Sequence, residues 1–526
     1  MKEKEFNLLH EHWIAVMNEN GDHEEVGLID VFRRAHEIKM LSGELPTQDI
    51  AILRLLLAVL YAVFLRKDVN GVPAEINDEY EAIERWRSLW DLGHFPSDII
   101  EAYLKEYEER FYLIHPDRPF YQVNFAKGSE YKVSKLNGEI SQSGNKEALF
   151  SPKGGKDKED ITLAEATRWL IHVNAFDDSS GKPTVRGGNM PSTGVGWLAK
   201  LGVVYVSGRT LFETLMLNFI TWDKNNNDPF PDGKAAWELE VPRSEERVEV
   251  KVPDEPIGLL TFQSRRLHLS FDGTRITGYK LLGGDVFSKE NAFIEPMTLW
   301  KKEKKGSEIY IPKIHDPAKA LWRDLFSLLA RTEKEEYLSG AVKWIIGIRP
   351  YISNKQVVFR SVGIQYGDKN SSIENVFGDN VAVSTHLLEK KGLDIFVPRI
   401  ISVIGVTDDC VKKYGMFAAY VEKASGRDKK RLMEVSEAAR EDMFFELDLP
   451  FRSWLAGINP EIDDIDQKSR EWIGIMKKIL FDRGENMVAE AGDKALVGTS
   501  IKNNAFSALL NFKSTVKKII GGYQNE

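Results

Sequence analysis

The run Leu55–Leu65 is apolar at all eleven positions. A helix without a polar stripe cannot rest on a protein surface; it must be enclosed on every side. Eleven residues fall short of the roughly 20 needed to span a bilayer. The run therefore predicts a buried core helix, extending from about Pro46 to Lys67. A core that surrounds a whole helix needs a long chain, and 526 residues supply one, with two or three domains expected. The first residues, MKEKEFNLLHEHW, contain no apolar signal core, which points to a cytoplasmic protein. One cysteine, Cys410, excludes an internal disulfide and a multi-cysteine zinc site. A net charge of −9 argues against coating nucleic acid by bulk electrostatics, but leaves room for a local basic site.

Along the chain, residues 6–32 predict a hairpin turning at Asn20-Gly21. Two helical patterns follow, the second with Ser97 as its cap. Residues 117–165 are rich in Gly, Ser and Lys and predict a long loop region. ITLAEATRWLIHVNAF reads as a helix, VVYV as a strand and RTLFETLMLNFI as a helix. SRRLHLSFDGTRITGYKLL predicts a hairpin at Asp272-Gly273. DPAKALWRDLFSLLA predicts a helix capped by Asp316, with Pro317 at its first position. AVKWIIGI and KQVVFRSVGI read as strands, and GIQYGDKNSSIENVF as a strand, a polar turn and a short helix or loop. From about residue 387 four amphipathic stretches replace the strand signals. The expected fold class is α+β, with a large mixed domain over 1–386 and a four-helix bundle over 387–526.

Few residues carry obvious chemistry. VRGGNMPSTGVGWLAKLG, 185–202, holds five glycines, a density that lets backbone approach another body closely. Gly194-Val-Gly196 resembles part of a dinucleotide fingerprint, yet a strand signal follows it where a helix is required. His10 and His12 would share one face of a strand, as two metal ligands might share it. Cys410 has no evident base beside it, and no catalytic constellation assembles. Basic clusters occur at Lys301–Lys305, at Arg427, Lys429, Lys430 and Arg431, and at Lys513–Lys518.

Several stretches taken together resemble one family. FNLLHEHWIAV, EVGLIDVFRRAHEI, GELPTQDIAILRLLLAVL, HPDRPFYQV, TGVGWLAKLGVVYVSGRTLFETLMLN and GDVFSKENAFIEPMTLW, in that order, are similar to the CasA family. That family is the large subunit of the type I-E Cascade CRISPR ribonucleoprotein. The resemblance implies a subunit without catalytic activity or cofactor. Its implied partners are the other Cascade subunits, the 5′ handle of the guide RNA, double-stranded target DNA and a helicase-nuclease. No membrane is implied.

In the family, a glycine-rich loop presses against the minor groove of the PAM, the short duplex motif flanking the target. By position this role falls on Gly187, Gly188 and Asn189, with Gly194 and Gly196 as the second possibility. A β-carbon there would hold the backbone off the base edges, and the minor groove separates mainly A·T from G·C pairs. A wedge loop that starts strand separation falls on Lys369, Asn370 and Ser371; some relatives carry glutamine where this chain has Asn370. A lysine reaching the groove from a hairpin falls on Lys289, with Lys280 the rival. Phe150 aligns with an aromatic that packs against the guide handle and backbone subunits. Arg427, Lys429, Lys430 and Arg431 are candidates for contact with the displaced strand or the nuclease. The competing expectations are a metal-dependent nuclease using His10 and His12, a nucleotide-binding enzyme using the glycine stretch, and a pure scaffold.

Overall fold

The computed structural model describes residues 4–124, 130–138, 140–142, 146–147, 155–180, 194–241, 250–330, 338–352, 355–426, 431–498 and 503–524. The chain forms two compact units. One comprises Met1–Pro317, Lys334–Ile352 and Val358–Asn380; the other comprises Ala318–Glu333, Ser353–Val357 and Val381–Glu526.

The apolar run lies in the helix Pro46–Phe64, which starts with proline at its first position. By length and composition this helix could cross a membrane, but 94% of its apolar window is buried within the protein. It packs against the helix Leu163–Phe176. There, Thr162 accepts the Glu165 N–H at 3.1 Å while Glu165 reaches back to the Thr162 N–H at 2.8 Å, closing a capping box. Beyond Asp49 in its first turn, the core helix carries one charge, and it is buried. Arg54 meets the fully buried Glu295 through two parallel bonds of 2.6 and 2.9 Å. Glu295 also accepts the Trp197 indole N–H at 2.8 Å and the Met297 backbone N–H at 3.1 Å. The carboxylate is thus well supplied with donors, as a buried ion pair requires.

The described strands form small sheets of two or three strands each. The hairpin Ile14–Asn18 with His23–Val26 turns where the sequence predicts. The strands Arg265–Phe271 and Ile276–Gly283 pair in register from Arg265↔Gly283 to Leu269↔Tyr279, with a bulge at Ser270/Phe271. Val203–Ser207 pairs with Gln356–Tyr366 at Val358↔Ser207 through Val362↔Val203.

Four readings of local structure are corrected. AVKWIIGI belongs to a helix, Gly340–Ile348, whose first turn is capped by the Ser339 hydroxyl accepting the Val342 N–H. Asp316 caps no helix; the chain makes a 3-10 turn at Leu321–Asp324 before the short helix Leu325–Leu329. Ser97 is the first residue of its helix rather than its cap, which is Pro96. The segment after the polar turn at 368–371 is a strand, Ile373–Ser384.

In the second unit, the helices Val397–Ala424, Leu432–Ala456, Ile465–Ala489 and Ala505–Gln524 form the bundle, with a short helix Gly492–Val497 before the last. Aromatic residues fill its centre. Trp322 stacks on Phe451 at 4.0 Å, Phe451 meets Trp472 edge-on at 4.8 Å, and Phe417 stacks on Phe512 at 5.0 Å. The indole N–H groups of Trp322 and Trp472 donate to Asp448 and Thr407, at 2.8 and 2.9 Å.

Candidate functional site

The structure brings several of the expected residues together at the two ends of the segment 181–193. The first end leaves the helix Leu163–Phe176 through Asp177, Asp178, Ser179 and Ser180. The second end returns at Gly194. One buried guanidinium holds both. Arg265 donates to the Asp177 carboxylate at 2.5 Å, to the Asp178 carbonyl at 2.9 Å and to the Gly194 carbonyl at 2.7 Å. Arg265 opens a strand of the second hairpin and is 1% exposed, so the loop base is fixed to the sheet.

Gly194 and Gly196 differ in what they face. Gly194 has a φ of +75°, which favours glycine, and among the described residues a β-carbon there would meet only the Lys200 stem, at 3.8 Å. Gly196 is buried, and its N–H donates to the Asp177 carbonyl at 2.9 Å. A β-carbon on Gly196 would lie 2.3 Å from the Ala175 carbonyl oxygen. Its glycine is therefore required by an internal contact. Gly187, Gly188 and Asn189 lie outside the described residues.

The polar turn comes to the same place from 190 residues away in sequence. Ser179 donates its hydroxyl to the Lys369 carbonyl at 2.5 Å and its N–H to the Asn370 carbonyl at 2.9 Å. Tyr366, at the end of the preceding strand, donates its hydroxyl to the Phe176 carbonyl at 2.6 Å. The turn is held internally by Gly367–Ser372, Asn370–Gly367 and Ser371–Asp368 backbone bonds of 2.9, 2.9 and 3.1 Å. Lys369 and Asn370 both have positive φ, 53° and 55°. That conformation is costly for lysine and tolerated by asparagine. Both side chains are exposed, and Ser371 is partly so.

Lys289 is exposed in the loop beyond the strand Ile276–Gly283. Phe287, two residues earlier, packs on Trp197 at 4.1 Å and draws that loop to the return end of the glycine segment. Lys280 sits on the strand itself, opposite His268 and Glu130. Lys200 was not singled out by the sequence reading. It is half-buried beside Gly194, and burial, with Arg265 and Lys289 nearby, pushes its ammonium down to about 8. Arg265 and Ser179 were not singled out either. A strand arginine and a loop serine carry no sequence signal for roles that depend on partners across the fold.

The remaining expectations are placed as follows. Phe150, Arg427, Lys429 and Lys430 lie outside the described residues. Arg431 is exposed immediately before the helix Leu432–Ala456. His10 and His12 are exposed and off any strand, which removes the shared face expected of them. Gly194–Ala199 leads into the 3-10 turn Leu198–Lys200 and then a strand, so no helix opens there to receive a dinucleotide phosphate. Cys410 is fully buried, and burial pushes its thiol up to about 12. Among the described residues one trio could converge on a cation: His386, Glu389 and Glu461. Nδ1 of His386 faces Glu389 at 2.8 Å and Nε2 faces Glu461 at 3.5 Å. Opposite ring nitrogens thus serve the two carboxylates, the pattern of a ring bridging two acids.

Comparison with known proteins places the chain in context. The profile of a family described as CRISPR-associated protein Cse1 matches residues 7–482. A curated relative, the CRISPR-associated protein CasA/Cse1 of Thermus thermophilus, is 29% identical over 341 residues, 62% of this chain. That match spans 61% of the relative's own length. The crystal structure of Thermobifida fusca Cse1 superposes with a TM-score of 0.86 at 29% identity, covering 98% of each chain. A chain of a CRISPR RNA-guided surveillance complex shares the fold, with a TM-score of 0.70 at 18% identity over 98% of this chain and 100% of the other.

Proposed function

This chain belongs to the CRISPR-associated protein Cse1 family, and from that premise we propose that it is the large, non-catalytic subunit of a type I-E Cascade ribonucleoprotein. In this reading it recognises the PAM from the minor groove, promotes strand opening and R-loop formation, and recruits the helicase-nuclease. Its partners are the other Cascade subunits, the 5′ handle of the guide RNA and double-stranded target DNA.

One observation carries the reading. Ser179, at the root of the glycine segment, is hydrogen-bonded to both Lys369 and Asn370 of the polar turn. The root of one segment with an expected DNA role is thus tied to the tip of the other. Division of labour follows: Gly187, Gly188, Asn189 and Gly194 bring backbone to the groove, where any side chain would add distance. Lys369, Asn370 and Ser371 stand beside it as the wedge, and Lys289 supplies a cation. Gly196 serves the loop's footing rather than the DNA. Protein reading of a short duplex motif, with base pairing reading the remainder, is the logic of RNA-guided recognition. A net charge of −9 is compatible with this, because the other subunits and the guide hold most of the nucleic acid. Phe150 is proposed to meet the guide handle and backbone subunits. Arg427, Lys429, Lys430 and Arg431 are proposed to meet the displaced strand or the nuclease.

The test is duplex binding by the reconstituted guide-RNA complex, with and without this chain, at fixed salt, on one protospacer flanked by a panel of PAMs. The proposal expects PAM-dependent binding only when the chain is present. Equal binding across the panel with and without it would leave a scaffold role.

A further inference from the structure

Lys200 is a half-buried cation that, among the described residues, has no acid to answer it. It closes the turn Leu198–Lys200. Its ammonium lies 6.0 Å from the Trp197 ring centroid, and its Cε is 3.8 Å from the point where a Gly194 β-carbon would stand. The charged groups acting on it are Arg265, from the strand Arg265–Phe271, and Lys289, from the loop beyond Ile276–Gly283; both are cations. Arg265 is neutralised by Asp177. Among the described residues no carboxylate forms an ion pair with Lys200 or with Lys289. Two uncompensated ammonium groups therefore stand within electrostatic reach of each other at the return end of the glycine segment. Partial burial of an unpaired charge beside a like charge is unfavourable in the free protein, and an approaching anion relieves it.

We propose that Lys200 is a further DNA-contacting residue, holding one backbone phosphate of the PAM duplex at the edge of the groove faced by the glycine segment. This inference rests on the DNA-reading role proposed above. Phosphate is the fitting ligand because an ammonium is a compact point charge that pairs with a phosphate from any direction and needs no planar fork to do so. A phosphate contact positions the duplex and carries no sequence information. Lys200 would thus set affinity while the glycine segment sets preference.

The experiment uses the reconstituted complex carrying the wild-type chain, Lys200→Gln or Lys200→Arg, with duplex affinity measured across a salt series for the same panel of PAMs. Lys200→Gln is expected to weaken every PAM by the same factor and to lower the slope of log affinity against log salt by about 0.9, one phosphate's worth. Lys200→Arg is expected to keep the slope. A second readout needs no variant to fold. Wild-type duplex affinity should fall as pH rises through about 8, where Lys200 loses its proton. The Lys200→Arg chain should show no such fall, because its guanidinium stays charged. An unchanged slope in Lys200→Gln with a flat wild-type pH profile would overturn the inference. So would a slope change confined to guide-RNA binding during assembly. Loss of PAM dependence in the wild-type complex would instead strike the recognition role itself, while the salt slope would still report on Lys200.

Discussion

Ser179 donates its N–H to the carbonyl of Asn370 at 2.9 Å, joining the root of the glycine segment to the tip of a turn in a different strand pair. The bond is to backbone, so it fixes the turn's position without engaging the Asn370 side chain. Lys369, whose carbonyl takes the Ser179 hydroxyl, is held at a φ of 53°. Replacing it with glycine relieves roughly 1–2 kcal/mol of left-handed strain and costs about 0.5–1 kcal/mol of chain entropy. Lys369→Gly is expected to leave the chain as stable or slightly more stable by thermal melting. It should also slow duplex opening, read by a fluorescent base placed next to the PAM. A stability loss comparable to a core mutation would contradict this account of the turn.

The two glycines at the return end should respond differently to alanine. At Gly196 the new β-carbon meets the Ala175 carbonyl oxygen at 2.3 Å, so backbone must move. Gly196→Ala is expected to cost on the order of 3 kcal/mol in urea unfolding, in the range of severe strain mutations. Gly194→Ala meets only ordinary contact with the Lys200 stem among the described residues and has the positive φ to overcome, about 1 kcal/mol. Equal costs at the two positions would mean that the contact at Ala175 does not constrain the chain.

The Arg54–Glu295 pair ties the core helix to Trp197. Arg54→Met or Glu295→Gln alone leaves an uncompensated buried charge and is expected to cost about 3–5 kcal/mol. The double variant should cost less than the sum, with a coupling in the range of about 0.5–3 kcal/mol by a double-mutant cycle. Simple additivity would place the two side chains outside one network.

Acid should loosen the first unit through His172. The buried ring lies between Trp169 and Phe176, hydrogen-bonded to the Thr47 hydroxyl at 3.0 Å, and burial pushes it down to about 4. Its unfolded value is about 6.5. Between these values the unfolded chain binds the extra proton, so stability falls as pH drops from about 6.5 toward 4, by on the order of 2–3 kcal/mol. Asp177, the charge acting on the ring, opposes the shift only partly. His172→Gln should flatten that part of the pH–stability profile, followed by denaturant midpoints. An unaltered profile would assign the acid sensitivity to other groups.

The sequence was informative where one physical pattern dominated. The apolar run could only be a core helix, and alternating residues around Asp272-Gly273 could only be a hairpin. It misled where two patterns coincide. AVKWIIGI is short, apolar and rich in β-branched residues, so periodicity could not separate a strand from a buried helix, and the Ser339 cap decided it. The site was legible as segments but not as an assembly. The glycine stretch and the turn at 368–371 were both visible, whereas their union depends on Ser179, and their anchoring on Arg265, across 88 residues from Asp177. Lys200 escaped notice because an isolated lysine in a loop looks solvated until the cations beside it are placed.

The most direct test of the account is PAM preference in the reconstituted guide-RNA complex carrying Gly188→Asp or Asn370→Ala. A carboxylate at 188 should repel the duplex and abolish the difference between favoured and disfavoured PAMs. Loss of the Asn370 side chain should leave initial binding and impair strand opening. If both variants keep the wild-type order of PAMs and the wild-type opening rate, these segments do not read DNA, and the chain serves its complex as a scaffold.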